Sequence, residues 1–147
     1  MKYLYRVFLL LTVACFCLPA HAHHLAVVVH QDNHTPAITS SDLGKIFKGE
    51  MRHWADGHNV IVVINKDSAV SMQVMERLSS IPRSEILAFF EAHKASFVLA
   101  ASDADVLRIV QGTPGALGMV DVRLVTGKIN VVKVDGKLPL EQGYLPH

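Results

Sequence analysis

Two kinds of apolar patterning alternate along the chain. Short continuous runs, Leu25 to His30, Val60 to Ile64, Ser96 to Ala100, Ala116 to Val120 and Ile129 to Val134, have the length of strands. Val60 to Ile64 also has the β-branched character of a strand covered on both faces. Between these runs, apolar residues recur at helical spacing. Leu43, Ile46 and Phe47 form one face of a helix over 41–48, about two turns long, with Thr39 and Asp42 as a capping pair and Gly49 suited to the left-handed conformation that ends it. Val70, Val74, Met75 and Leu78 mark a second helix capped by Asp67 or Ser68. Pro82 suits the first turn of a third, whose apolar side is Ile86, Leu87, Phe89 and Phe90. Ser102 and Asp105 stand at capping-box spacing before Val106, Leu107, Ile109 and Val110, and Gly112 followed by Pro114 stops that helix. The connection from Gln31 to Ser40 is polar and contains Pro36, and turns fall at Asp56-Gly57, Gly127 and Asp135-Gly136. Alternating strands and helices predict an α/β fold, a three-layer sandwich around a mixed, mostly parallel sheet.

The first residues follow a different pattern. Lys2 and Arg6 precede an apolar run from Val7 to Leu18 and a small-x-small motif, Ala20-His21-Ala22, which together predict a signal peptide over 1–22 and a periplasmic or secreted product. The apolar run is about a dozen residues against the roughly 20 of a bilayer span, so no membrane span is expected after cleavage near Ala22. A single domain over 23–137 and a C-terminal tail over 138–147 account for the rest. Cleavage removes both cysteines, Cys15 and Cys17, and with them disulfides, thiolate nucleophiles and cysteine metal sites. It also takes Lys2 and Arg6 from 14 basic side chains, leaving 12 against 13 acidic ones, a balance with no electrostatic footprint for nucleic acid.

Three local patterns share an order with one known family. Ile46-Phe47-Lys48-Gly49 followed by Trp54-Ala55-Asp56-Gly57, the valine-rich strand ending near Asn65, and Thr113-Pro114-Gly115-Ala116-Leu117-Gly118 together resemble phosphate-type periplasmic substrate-binding proteins of ABC transporters. More closely, the chain is similar to small single-lobe members of the type 2 periplasmic-binding-protein superfamily. The resemblance implies one lobe of such a protein, with a solute-binding or accessory role that is not enzymatic. It implies phosphate or another small oxyanion as ligand, and an ABC transporter permease or other periplasmic protein as partner. In the two-lobed binders, an arginine and a Ser-Gly-Thr run at a helix start receive the phosphate on unpaired amides. The corresponding residues here are Asn65, Lys66, Ser68, Ala69, Val70 and Ser71. Ser68 matches the serine of the run, Ala69 and Val70 replace its glycine and threonine, and Lys66 offers charge without a bidentate fork, so the anion site is degenerate. Asp67 would repel an anion if it pointed inward.

The remaining chemistry suggests two alternatives, a repurposed lobe that binds a protein and a histidine-based metal binder. Eight histidines remain after cleavage, of which His23, His24, His30 and His34 crowd the start and His53 and His58 bracket a turn. His30 and His34 lack a tight ligand spacing, His53 and His58 can face each other across their turn, and no metal or cofactor is assigned. Nucleophile-elbow, phosphate-loop and His-Glu-x-x-His motifs are absent from the sequence. Asp103, Asp105, Glu76 and Glu91 are expected as capping or solvated charges. Trp54 is expected to cover the core edge, and Gly115 and Gly118 to allow close approach of helix and sheet.

Overall fold

The computed structural model describes residues 24–146. The expected signal peptide over 1–22 and its cleavage near Ala22 lie outside the described residues. The described residues form seven strands: β1 (Leu25–His30), β2 (Ala37–Ile38), β3 (Ile61–Asn65), β4 (Phe97–Ala100), β5 (Ala116–Asp121), β6 (Ile129–Val131) and β7 (Lys133–Val134). Among the described residues four α-helices lie between them: α1 (Ser40–Phe47), α2 (Ala69–Ser79), α3 (Arg83–Ala92) and α4 (Asp103–Gly112).

The central sheet has the order β4-β3-β5-β1-β6. β3 is parallel to both β4 and β5, while β1 is antiparallel to both β5 and β6, so β1 alone runs against the other strands. This is the expected mixed, mostly parallel sheet. Each helix start is set locally: Thr39, Ser68 and Ser102 accept hydrogen bonds from the amides of Asp42, Ser71 and Asp105. Pro82 stands one residue before α3, extended at ψ 142°, because its preset φ serves the entry equally well outside the first turn.

Side chains of the central strands alternate between two apolar layers. Val27, Val29, Val62, Ile64, Leu117 and Met119 face α1, α2 and α3, where Phe47, Met75, Ile86 and Phe90 are buried. Ala26, Val28, Val63 and Val120 face Val106, Leu107 and Val110 of α4. Gly118 lies under α4, where a Cβ would stand 2.6 Å from Val106 Cγ1. The third layer therefore rests on a residue without a side chain.

Two segments differ from the sequence expectation. The polar connection before α1 contributes β2, which pairs in parallel with β7 as a separate two-stranded sheet. The run from Ile129 to Val134 divides at Val132. Val132 donates to the Val27 carbonyl at 2.9 Å, but the reciprocal bond of an antiparallel pair is replaced by the Tyr144 hydroxyl, which accepts from the Val27 amide at 3.0 Å and donates to the Val132 carbonyl at 2.6 Å. The inserted hydroxyl ends one ladder and the chain passes to the other. In the segment after Lys137, Tyr144 and Leu145 are buried in the larger core.

Candidate functional site

The parallel strands β3, β4 and β5 end on the same side of the sheet, and the predicted site residues lie where β3 passes into α2. Asn65 is the last residue of β3 and is 9% exposed. Its Oδ1 accepts from the Asp67 amide at 2.9 Å, forming a side-chain turn, and its Nδ2 donates to Asp103 Oδ1 at 2.9 Å. The second Asp103 oxygen accepts from the amide of Asp121 at the end of β5. One carboxylate thus ties two strand ends to the start of α4. Sequence reasoning expected Asp103 as a cap or solvated charge; its place directly after the capping Ser102, beside the β4 end, is the only local hint of the tie.

Ser68 caps α2, its Oγ accepting from Ser71 N at 3.2 Å. Ser71 is fully buried, and its hydroxyl has no hydrogen-bond partner among the described residues. Asn65 and Ser71 are therefore turned inward. Lys66, Ala69 and the half-buried Val70 remain around the helix start with Ser68. Among the described residues no acceptor meets the amides of Ala69 and Val70. Lys66 Nζ lies 4.0 Å from Asp67 Oδ1, with both groups largely in solvent. Two open amides and one partly compensated cation at the positive end of a helix can hold a small oxyanion weakly.

Other singled-out residues have defined roles. Trp54 is 5% exposed and its indole N–H donates to the Gly115 carbonyl at 2.8 Å, so it closes the core edge. Gly115 has φ +85°, and a Cβ there would lie 2.1 Å from the Asn59 carbonyl oxygen. His30 is buried, accepting on Nδ1 from the Asp32 amide. His58 faces Asp56, its Nδ1 3.0 Å from Oδ2, and hydrogen bonds from the His58 backbone and ring hold the Asp56 carboxyl below its usual range. Among the described residues, no group of three or more His, Cys, Asp or Glu side chains is placed to hold a metal ion, and no helix is long and apolar enough to cross a membrane.

The fold, a mixed sheet between helices with the site at its parallel strand ends, is that of one lobe of two-lobed solute-binding proteins. No family model matches the chain, and no curated protein matches its sequence. Among solved structures, it is similar to a Clostridium perfringens substrate-binding protein of the phosphate ABC transporter type, solved with bound phosphate (TM-score 0.65, 20% identity, 79% of this chain and 46% of that one). It is also similar to an ABC-type phosphate transport receptor from Vibrio cholerae (TM-score 0.62, 19% identity, 79% and 48%) and to PstS from Borrelia burgdorferi (TM-score 0.62, 17% identity, 79% and 49%). The matched region spans about half the length of each of these proteins.

Proposed function

We propose that the chain is an exported, non-enzymatic accessory of oxyanion uptake, a lobe of the phosphate-binding type that touches phosphate or a similar anion weakly and works with an ABC transporter permease or another periplasmic protein. The observation that carries this reading is the pair of open amides at Ala69 and Val70 beside Lys66, at a strand end in a fold shared with proteins described as phosphate binders. Phosphate and sulfate titrations followed by amide NMR test it. Shifts confined to 66–70 and reduced by Lys66→Gln are expected at about 10 mM anion, the range of a millimolar Kd. No localised shift at that concentration would sink the oxyanion reading.

A second reading, a lobe repurposed to bind protein, draws on the internal use of the Asn65 and Ser68 side chains and the acidic Asp67 and Asp103 beside the site. Pull-down from periplasm of phosphate-rich and phosphate-starved cells separates the two. A stable partner captured equally in both conditions favours this second reading over uptake.

A further inference from the structure

At the opposite end of the sheet, a cleft of about 310 Å³ opens between the loop after α1, the start of β3 and the turn that joins α3 to β4. Its floor is apolar, built from Ile46, Met51, Val62 and Phe97. Gly49 keeps the Phe97 side of that floor open: it has φ +75°, which favours glycine, and a Cβ there would project over the Phe97 ring at 3.6 Å.

Four basic side chains line the same cleft, Lys48, Arg52, His93 and Lys94, and none of the lining residues is acidic. Two of them are fixed. Arg52 Nε donates to the Gly49 carbonyl at 2.9 Å, which orients the guanidinium while its terminal nitrogens find no acceptor among the described residues. His93 donates from Nδ1 to the Phe89 carbonyl at 2.8 Å and packs its ring on Phe89 with centroids 4.3 Å apart, leaving Nε2 as its free nitrogen. Lys94 is compensated by Glu91 at 2.8 Å, so Lys48 and Arg52 carry the uncompensated charge.

A concave apolar floor beneath an unbalanced cationic rim selects a particular chemistry. The rim alone would accept any anion, and the floor alone would accept any small apolar body. From this juxtaposition we propose that the cleft is a second binding site, separate from the start of α2, for a small organic carboxylate whose apolar body lies on Met51 and Phe97 and whose carboxylate meets Arg52 and Lys48. An inorganic anion leaves the floor unused, so this site discriminates against phosphate and sulfate.

The test uses sodium benzoate and sodium hexanoate, with benzyl alcohol and hexanol as uncharged counterparts, read by amide NMR and calorimetry. Expected are shifts confined to 46–52, 60–62 and 92–97, a Kd of about 1 mM or tighter, and binding of the alcohols at least about tenfold weaker. The double variant Lys48→Gln, Arg52→Gln should weaken benzoate about tenfold without lowering the melting temperature, since both side chains are exposed. Lys66→Gln, at the other end of the sheet, should leave benzoate binding unchanged, which keeps this result independent of the oxyanion site. Equal binding of acids and alcohols, equal binding by the double variant, or no local shift at about 10 mM carboxylate would each overturn the assignment.

Discussion

Replacing Tyr144 by Phe isolates the hydroxyl that stands between two strands. In the native fold that hydroxyl satisfies the Val27 amide and the Val132 carbonyl, both on residues at most 1% exposed. Phe keeps the ring packing and removes both partners. A buried group left without its hydrogen bond costs about 1–3 kcal/mol, so two such groups, partly relieved by local movement, should cost about 2–3 kcal/mol at neutral pH. With a urea dependence of about 1.5 kcal/mol per molar, the unfolding midpoint should fall by about 1.3–2 M. The pH dependence carries a second signature. Burial, only partly offset by the Val27 amide, pushes the Tyr144 phenol up from 10.0 to about 12. The folded state therefore favours the neutral phenol, and its contribution is complete below pH 10 and is lost as pH rises from 10 towards 12. Two units correspond to about 3 kcal/mol, enough to remove the advantage of the wild type. The midpoints of wild type and variant should thus converge over that interval. If the variant unfolds within about 0.2 M urea of wild type at pH 7, Val27 and Val132 have closed on each other and the hydroxyl is not what holds them.

Gly118→Ala places a methyl against Val106 Cγ1 at 2.6 Å and Val63 O at 3.2 Å and should destabilise by about 1–3 kcal/mol in thermal melts; a change below about 0.5 kcal/mol would show that α4 can lift without cost. Trp54, the sole tryptophan, should emit blue-shifted and resist quenching when folded, and Trp54→Phe should cost about 1 kcal/mol by removing the indole hydrogen bond to the Gly115 carbonyl, which keeps the Ile61 amide as its other donor. Asp67→Asn should tighten phosphate about threefold at low salt, because a unit charge about 6 Å from the anion in a water-like dielectric contributes about 0.7 kcal/mol. Equal affinities for wild type and Asp67→Asn at low salt would place the anion away from α2.

Features set by a few neighbouring residues were readable in the sequence. The Thr39 to Asp42 and Ser102 to Asp105 spacings announce their helices because cap and amide are three residues apart. Val60 to Ile64 announces a strand because β-branched side chains on both faces need cover on both faces. Orientation was not readable. Periodicity is the same whichever way β1 runs, and its antiparallel pairing with β5 and β6 is decided by the connections. The break at Val132 depends on Tyr144, which is 117 residues from Val27 in sequence, and the Asn65–Asp103 bond joins residues 38 apart. Neither leaves a local pattern. Inside the site the same division holds. Ser68 was identifiable as a cap by type and spacing, whereas the inward turn of Asn65 requires knowing that β5 and α4 meet beside it.

The arrangement of the strand ends also limits what this chain can do alone. Two helices begin on that side, α2 after β3 and α4 after β4, and each offers a positive dipole end. At α4 the offer is withdrawn: Ser102 caps it, and Asp103 and Asp105 occupy its first turn, so its field is spent on the protein's own carboxylates. At α2 the first turn holds no acid, and two amides stay open. A helix end stabilises a nearby charge by about 0.3–1 kcal/mol, while a micromolar complex needs about 8 kcal/mol. The open amides and Lys66 fall short of that by several kcal/mol even with generous hydrogen bonds, because the site faces water on its outer side. Under the oxyanion reading, the missing stabilisation has to come from a second surface that closes over α2, supplies further donors and excludes solvent. Affinity for the anion should then be a property of the assembled pair, with the anion strengthening the protein contact by the same factor that the protein strengthens the anion.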